Sequence, residues 1–368
     1  MKRSKILLIL HQSPPLHGAA KVGDIIVSSK KMNNFFDCRF IKIESSKTIK
    51  DIGKFNMYKF FLVISLYFRI FFMLAKFRPN KIYFTASIHG AAFFRDLLLS
   101  FLWKFYCLIN DAQVFYHYHT KGIDNFVSGS KVNLFLTNLF IRNVNVILLS
   151  KLLVKDFEKV NAYKKIFTLS NGIESQINEF SLENNIKRKY EELSQIHVLY
   201  LSQLTKEKGY DEVLELAKHT SGRNIRYHFA GHWQSPNDEK HFFEFIKNNN
   251  LTHDVTYHGY VSGIKKDNLF NKAHLLAYPS RNDAFPLTII ESLSFGVPVI
   301  AFNQGSIPIM LDERSGIIVK DLIDFIHGFE KSLMSLINEN TAMYCRKRFS
   351  KHFTLEKFET NLIGIFHD

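Results

Sequence analysis

Apolar and polar positions along this chain fall into two alternating periods. Short apolar runs are each followed by a polar loop and then by a stretch of helical spacing. Lys5–Leu10, Arg39–Ile43, Lys81–Thr85, Gln113–His117, Asn145–Leu149 and Lys165–Leu169 read as buried strands. The pattern restarts with His197–Leu201, Arg226–Gly231, Val255–Val261, Leu275–Tyr278, Val299–Phe302 and Gly316–Val319. Strand and helix in strict alternation predict α/β architecture, with parallel sheets covered by helices on both faces. Between the two series, Glu179–Ser194 is rich in Glu, Lys and Asn and reads as a linker. The expected division is residues 1–180, 195–340 and a helical tail, 341–368.

The stretch Leu275–Glu313 carries the densest chemistry. Its apolar run closes at Pro279-Ser280, and a polar loop, Arg281–Phe285, follows. Pro286 then opens a helix through Phe295, because a missing N–H costs nothing in a first turn. Gly296 and Pro298 end it. Free N–H groups at a helix start form an anion site, here around Phe285–Ile289, with Ala284, Phe285, Pro286 and Leu287 as donor-binding residues. Open α/β sheets bind ligands at the carboxyl ends of their strands, which is where this loop falls. Glu291, one turn into the helix, can accept two ribose hydroxyls, and Asp283 in the loop can hold those of a second sugar. Phosphate between two sugars describes a nucleotide-sugar. Two solvated carboxylates of no function are the bland alternative.

This stretch resembles the donor site of the retaining glycosyltransferases of family 4, whose fold is called GT-B. The resemblance rests on Pro279-Ser280, Asp283, Phe285-Pro286, Glu291 eight residues on, and the run Gly296-Val297-Pro298-Val299-Ile300-Ala301. The family pattern has Glu where Asp283 stands, one methylene longer. It implies two Rossmann-like domains facing a central cleft. The first would hold the acceptor and the second a nucleotide-sugar, with closing helices, here 341–368, crossing back to the first domain. Lys208, beside Gly209 at a helix start, matches the lysine that neutralises the leaving diphosphate. Gln203 takes the place of its usual arginine partner, for which Arg281 or Lys206 would substitute. Gly231 matches the strand-to-glycine turn beneath the nucleotide. His119, at the end of Val114-Phe115-Tyr116-His117-Tyr118-His119, matches a histidine beside the donor sugar. Gly18, in a loop before a helix expected from Val22, matches a glycine facing the phosphates. Asn171-Gly172 resembles the turn that closes the first domain. Gly305-Ser306-Ile307-Pro308 resembles a further turn whose acid is replaced by Ile309.

Composition narrows the picture. At 368 residues, 46% hydrophobic and 22% charged, the chain has a globular composition and enough length for two domains. Three scattered cysteines, Cys38, Cys107 and Cys345, give no disulfide framework or metal spacing, which fits a reducing cytoplasm. The apolar run Ile6–Leu10 is too short for a signal peptide and runs into Pro14-Pro15. The net charge of +14 and 36 Phe residues point to an anionic partner, but no nucleic-acid motif accompanies them. Met57–Phe77 and Ala91–Ile109 are apolar helical stretches. The run Phe60–Leu74, broken by Arg69, falls short of a bilayer span of ~20 residues. Two readings stay open for them: domain packing, or a membrane-surface helix with Lys59, Arg69, Lys76 and Arg78 at headgroup level.

The expected activity is transfer of a sugar from a nucleotide-diphosphate donor to a glycan or a lipid-diphosphate-linked acceptor. Retention of configuration comes only from the resemblance. No metal is expected, since Asp-x-Asp is absent from the sequence, and no other cofactor. Bacterial surface-polysaccharide synthesis on the inner face of the cytoplasmic membrane is the expected setting. Alternatives are a sugar-nucleotide epimerase of the same fold, a glycosidase using Asp283 and Glu291, and a decayed binding protein.

Overall fold

The computed structural model describes residues 3–15, 17–44, 57–175 and 179–368. Two sheets form, each of six parallel strands. The first contains β1 (Lys5–Leu10), β2 (Asp37–Lys42), β3 (Lys81–Ala86), β4 (Gln113–Tyr118), β5 (Asn145–Leu148) and β6 (Lys165–Thr168), in the order β2-β1-β3-β4-β5-β6. The second contains β7 (Ile196–Leu201), β8 (Ile225–Ala230), β9 (Val255–Tyr257), β10 (Leu275–Tyr278), β11 (Val299–Phe302) and β12 (Gly316–Val319), in the order β12-β11-β10-β7-β8-β9. All twelve strands were expected from the pattern, with ends displaced by a few residues. The central strands are apolar throughout because parallel strands covered on both faces have no wet side. β1 from Ile6 to Leu10 and the whole of β10 and β11 are buried.

The chain divides into two compact units, Met1–Asn171 with Glu356–Asp368, and Gly172–Leu355. Each has its own sheet. The first unit recruits the helix Leu355–His367, whose Phe366 ring meets Phe36, Tyr83 and Phe115. The preceding helix, Glu339–His352, belongs to the second unit, so the tail does not act as one piece.

The segment expected as a linker is instead a helix, Glu179–Glu191. Leu182 and Ile186, one turn apart in an otherwise polar sequence, bury against Ala342. Arg346 anchors the start of that helix through Glu179 and donates to Ser175 Oγ at 2.8 Å. Two apolar positions suffice because a helix needs only one buried stripe.

Met57–Phe77 is one helix of 21 residues, long and apolar enough over Phe60–Phe77 to cross a membrane by length and composition. Its Leu66, Ile70, Leu74 and Phe77 are buried in the first unit. The Lys59 side chain lies outside the described residues. Among the named cations, Arg69 pairs with Glu44 at 3.4 Å.

Candidate active site

In the second sheet the strand order reverses direction between β7 and β10, the switch point where doubly wound sheets bind ligands. The loops leaving these two strands carry Lys208 and Asp283. Gly209 brings them together. It has φ +80°, and a Cβ on it would lie 2.3 Å from the Pro279 carbonyl oxygen. Only glycine lets the loop after β7 lie so closely on the end of β10. Lys208 Nζ then donates to the Asn282 carbonyl and to Asp283 Oδ1, each at 2.8 Å.

Asp283 is held from its other side as well. Its Oδ2 accepts from Tyr278 Oη at 2.8 Å and from Ser280 Oγ at 2.6 Å. Burial, then the Asp283 carboxylate, pushes the Tyr278 phenol far above its ordinary value, so it stays a donor. Three of roughly four carboxylate acceptor positions are therefore occupied. Pro286 caps the helix Leu287–Ser294 from just outside it, with no side-chain hydrogen bond. The first-turn N–H groups of Leu287 and Thr288 have no partner among the described residues, whereas Ile289 N–H reaches the Pro286 carbonyl at 3.2 Å. Ala284, Phe285 and Pro286 are buried beneath this opening. Glu291 is 7% exposed and pairs through Oε1 with Lys266 Nζ at 2.9 Å.

Two expected substitutes for the missing arginine are engaged elsewhere. Arg281 pairs with Glu212 and lies over the Phe302 ring, 5.0 Å from its centroid. Lys206 reaches Asp211 at 3.9 Å. Gln203 contributes its carbonyl, which accepts from Thr205 N–H at 3.1 Å and Tyr200 Oη at 3.2 Å. Gly231 sits at φ +152°, and a Cβ there would lie 1.8 Å from the Ser202 carbonyl oxygen, so β8 ends against the loop that follows β7.

One residue of the site carried no expectation, and a second was expected only as part of a family turn. Lys266 stands on the helix Ile264–Lys272 and supplies the cation for Glu291. Its only sequence signal is the pair Lys265-Lys266 after Gly263, which also suits a solvated helix start. Gly305 has φ +51°, and a Cβ on it would lie 2.2 Å from the Asp283 carbonyl oxygen. With Ser306 N–H donating to the Ala284 carbonyl at 2.8 Å, it braces the Asp283 loop from behind.

In the first unit, His119 follows β4, and its ring lies 4.0 Å from that of His117. His117 Nδ1 hydrogen-bonds Tyr83 Oη at 2.7 Å. Burial and the nearby His17 hold His119 down at about 3, so it is neutral at pH 7. It can offer a hydrogen bond but not a proton-transfer acid. Gly18 does not sit in a loop: the helix begins there rather than at Val22, with His17 Nδ1 accepting from Ala20 N–H at 3.3 Å. Nothing lies within 4 Å of where a Gly18 Cβ would be. The close approach belongs to Gly23, whose Cβ would lie 1.8 Å from the His11 carbonyl oxygen at the end of β1.

Residues 183–351 match the family described as glycosyl transferases group 1. A curated relative from Klebsiella pneumoniae, an uncharacterized 41.2 kDa protein in the cps region, is 27% identical over 188 residues, 50% of this chain and 48% of the relative. The O-antigen biosynthesis glycosyltransferase WclY of Escherichia coli is 27% identical over 173 residues, 45% of this chain and 46% of the relative. These matches span about half the length of the curated relatives. Among solved structures, Anabaena HepE in complex with UDP and glucose superposes with a TM-score of 0.69 at 14% identity, covering 100% of both chains. The fold is therefore GT-B, and the stretch that matches the glycosyl transferases group 1 family, residues 183–351, lies within the second unit.

Proposed function

We propose that this protein is a retaining glycosyltransferase of family 4 that moves a sugar from a nucleotide-diphosphate donor to a glycan or lipid-diphosphate-linked acceptor. The observation that carries the reading is the β7/β10 switch point. There one lysine, one open helix start and two acids converge within a few residues of sequence on either side. In the proposed reaction the bond from the sugar's anomeric carbon to the diphosphate oxygen breaks as an acceptor hydroxyl attacks from the same face. The hydroxyl proton leaves on the departing phosphate. Negative charge grows on that phosphate, and groups already aimed at it are the ones that lower the barrier. Lys208 and the N–H groups of Leu287 and Thr288 take that role without a metal. Lys208 exchanges Asp283 for the diphosphate, and Glu291 accepts the ribose hydroxyls. Gly231 lets the Ser202 loop lie against the end of β8, which seats the nucleotide beside Gln203. Neutral His119 hydrogen-bonds the sugar, and the loop before Gly18 lines the acceptor side.

The setting we propose is bacterial surface-polysaccharide synthesis on the cytoplasmic side of the membrane; the cps-region and O-antigen names of two relatives support the first half of that reading. A thermal-shift panel of nucleotide-sugars, with the bare nucleotides as controls, tests the donor site without knowledge of the acceptor. A selective rise in melting temperature with one or two nucleotide-sugars is expected. No shift with any donor sinks the reading. Release of free nucleotide and free sugar from the preferred donor alone then separates slow hydrolysis by a transferase from the rapid, acceptor-independent turnover of an epimerase.

A further inference from the structure

Three helices of the first unit form one layer. Met57–Phe77 packs against Gly90–Ile109, and Lys131–Ile141 packs beside the second of these. Each commits one side to the core beneath: Leu66 and Ile70 from the first, Leu99 and Trp103 from the second, Phe140 and Ile141 from the third. Each then carries a second apolar stripe facing away from that core. Phe61, Phe68 and Phe72 form it on the first helix, all more than half exposed. Leu98, Phe101, Phe105 and Leu108 continue it on the second, and Val132 and Phe135 on the third. The spacings 61-68-72 and 98-101-105-108 keep each row on one face of its helix.

One buried stripe is enough to fold a helix, so the outer stripes have no role in holding the unit together. Together they expose on the order of 1,000 Å² of apolar surface, at roughly 200 Å² for each large side chain fully bared. The largest patch on an ordinary monomer is about half that. Charge decides what covers it. Met57–Phe77 and Lys131–Ile141 contain no acid, and Asp96, the one acid of Gly90–Ile109, is fully buried. Lys76, Arg78, Lys131 and Arg142 are exposed at the ends of these helices, against two exposed acids beside them, Asp111 and Glu44, the second already paired with Arg69. A second copy would set cations against cations, whereas an anionic lipid surface complements both the apolar centre and the basic rim. The inner stripe of Met57–Phe77 is committed to the core, so that helix cannot cross the bilayer without unfolding the unit. Lys104 is turned inward onto the Leu139 carbonyl, and burial lowers it to about 8, so it is not a headgroup cation.

We propose that this three-helix layer is a monotopic docking face that inserts its outer aromatic stripe into an anionic membrane surface. The proposal rests on the transferase reading only in that a lipid-linked acceptor would be met there.

The test is sedimentation of the full chain with protein-free vesicles of phosphatidylcholine, with or without phosphatidylglycerol. Binding is expected to the anionic vesicles and to weaken, but persist, at high salt. Phe72→Ser combined with Phe105→Ser should lower the vesicle partition coefficient about tenfold or more. A cooperative melting transition and a far-UV circular dichroism spectrum equal to wild type certify that the variant is folded. As a second reading, Trp in Phe72→Trp should be quenched by brominated lipid beyond the quenching seen in wild type. Unchanged binding in the double variant, no binding of the wild type, or absence of extra quenching overturns the proposal. So does self-association in solution that the same substitutions remove. Donor turnover is measured separately without vesicles. Its loss beside intact vesicle binding counts against the transferase alone, and the reverse result counts against docking alone.

Discussion

Gly305→Ala gives the sharpest test of how the donor loop is held. Gly305 adopts φ +51°, and the added Cβ would meet the Asp283 carbonyl oxygen at 2.2 Å and that of Ala284 at 2.7 Å. Both atoms are backbone, so no flexible side-chain tip can swing aside. Reaching ordinary contact at 3.4 Å requires a retreat of 1.2 Å (3.4 − 2.2) by the loop that carries Asp283 and leads into Pro286. The left-handed conformation alone costs alanine ~1–2 kcal/mol, and the contact adds a comparable amount. A misplacement near 1 Å at a reacting centre costs about 100-fold in rate. Gly222→Ala is the matched control. Gly222 has φ +81° with nothing within 4 Å of its Cβ, so it carries the backbone cost without the collision. Melting temperatures and donor turnover are measured for both variants well below their transitions. Gly222→Ala should lose stability alone; Gly305→Ala should lose stability and about 100-fold in turnover. Turnover of Gly305→Ala within about threefold of the control would refute the claim that Gly305 positions the site.

Other perturbations probe the same site and the sheet beneath it. Lys208→Ala and Glu291→Ala should each lower sugar transfer by ~100-fold or more, read as kcat/KM, and wild-type turnover in both would dismiss the donor site. Lys266→Ala leaves the Glu291 carboxylate buried without its 2.9 Å partner and should cost ~1–3 kcal/mol by urea melting, whereas the compensated Lys266→Met/Glu291→Gln pair should recover part of it; no loss in the single variant removes the pair from the argument. A row of histidines crosses the second sheet, with His197 Nδ1 to His228 Nε2 and His228 Nδ1 to His258 Nε2 both 3.0 Å. Burial, helped by Lys272 and Arg226 or Lys189, holds His197 at about 4 and His228 and His274 at about 3. The unfolded chain, with histidine near 6.5, then binds more protons than the folded one, so stability is full above pH 6.5 and falls as pH drops toward 4. Melting temperatures should decline between pH 6.5 and 5, where most carboxylates do not titrate, and a flat profile there would contradict the buried, neutral row.

The strands were legible because parallel central strands must be apolar on both faces. Glu179–Glu191 was not, because its two buried residues, Leu182 and Ile186, are outnumbered by polar neighbours that composition weighs equally. Gly18 and Gly23 show the limit of motif matching. Both lie near the same strand end, but only Gly23 has backbone where its Cβ would be, and spacing cannot report that distance. Pairing was the least legible feature. The sequence offers Lys208, Asp283 and Glu291 as separate ligand groups, while folding closes Lys208 onto Asp283 and brings Lys266 onto Glu291 from a different helix. Each acid of the site is thus balanced by a lysine before any donor arrives. Arg281, the other cation of this loop, is already engaged with Glu212. In the proposed reaction the incoming diphosphate must therefore compete with Asp283 for Lys208. The Asp283 carboxylate, keeping Tyr278 and Ser280, can release the lysine at the loss of one bond in three. That exchange makes the departing charge the reason Lys208 moves, so its contribution belongs to the transition state more than to donor binding. Lys208→Ala should accordingly lower kcat far more than it raises the donor KM.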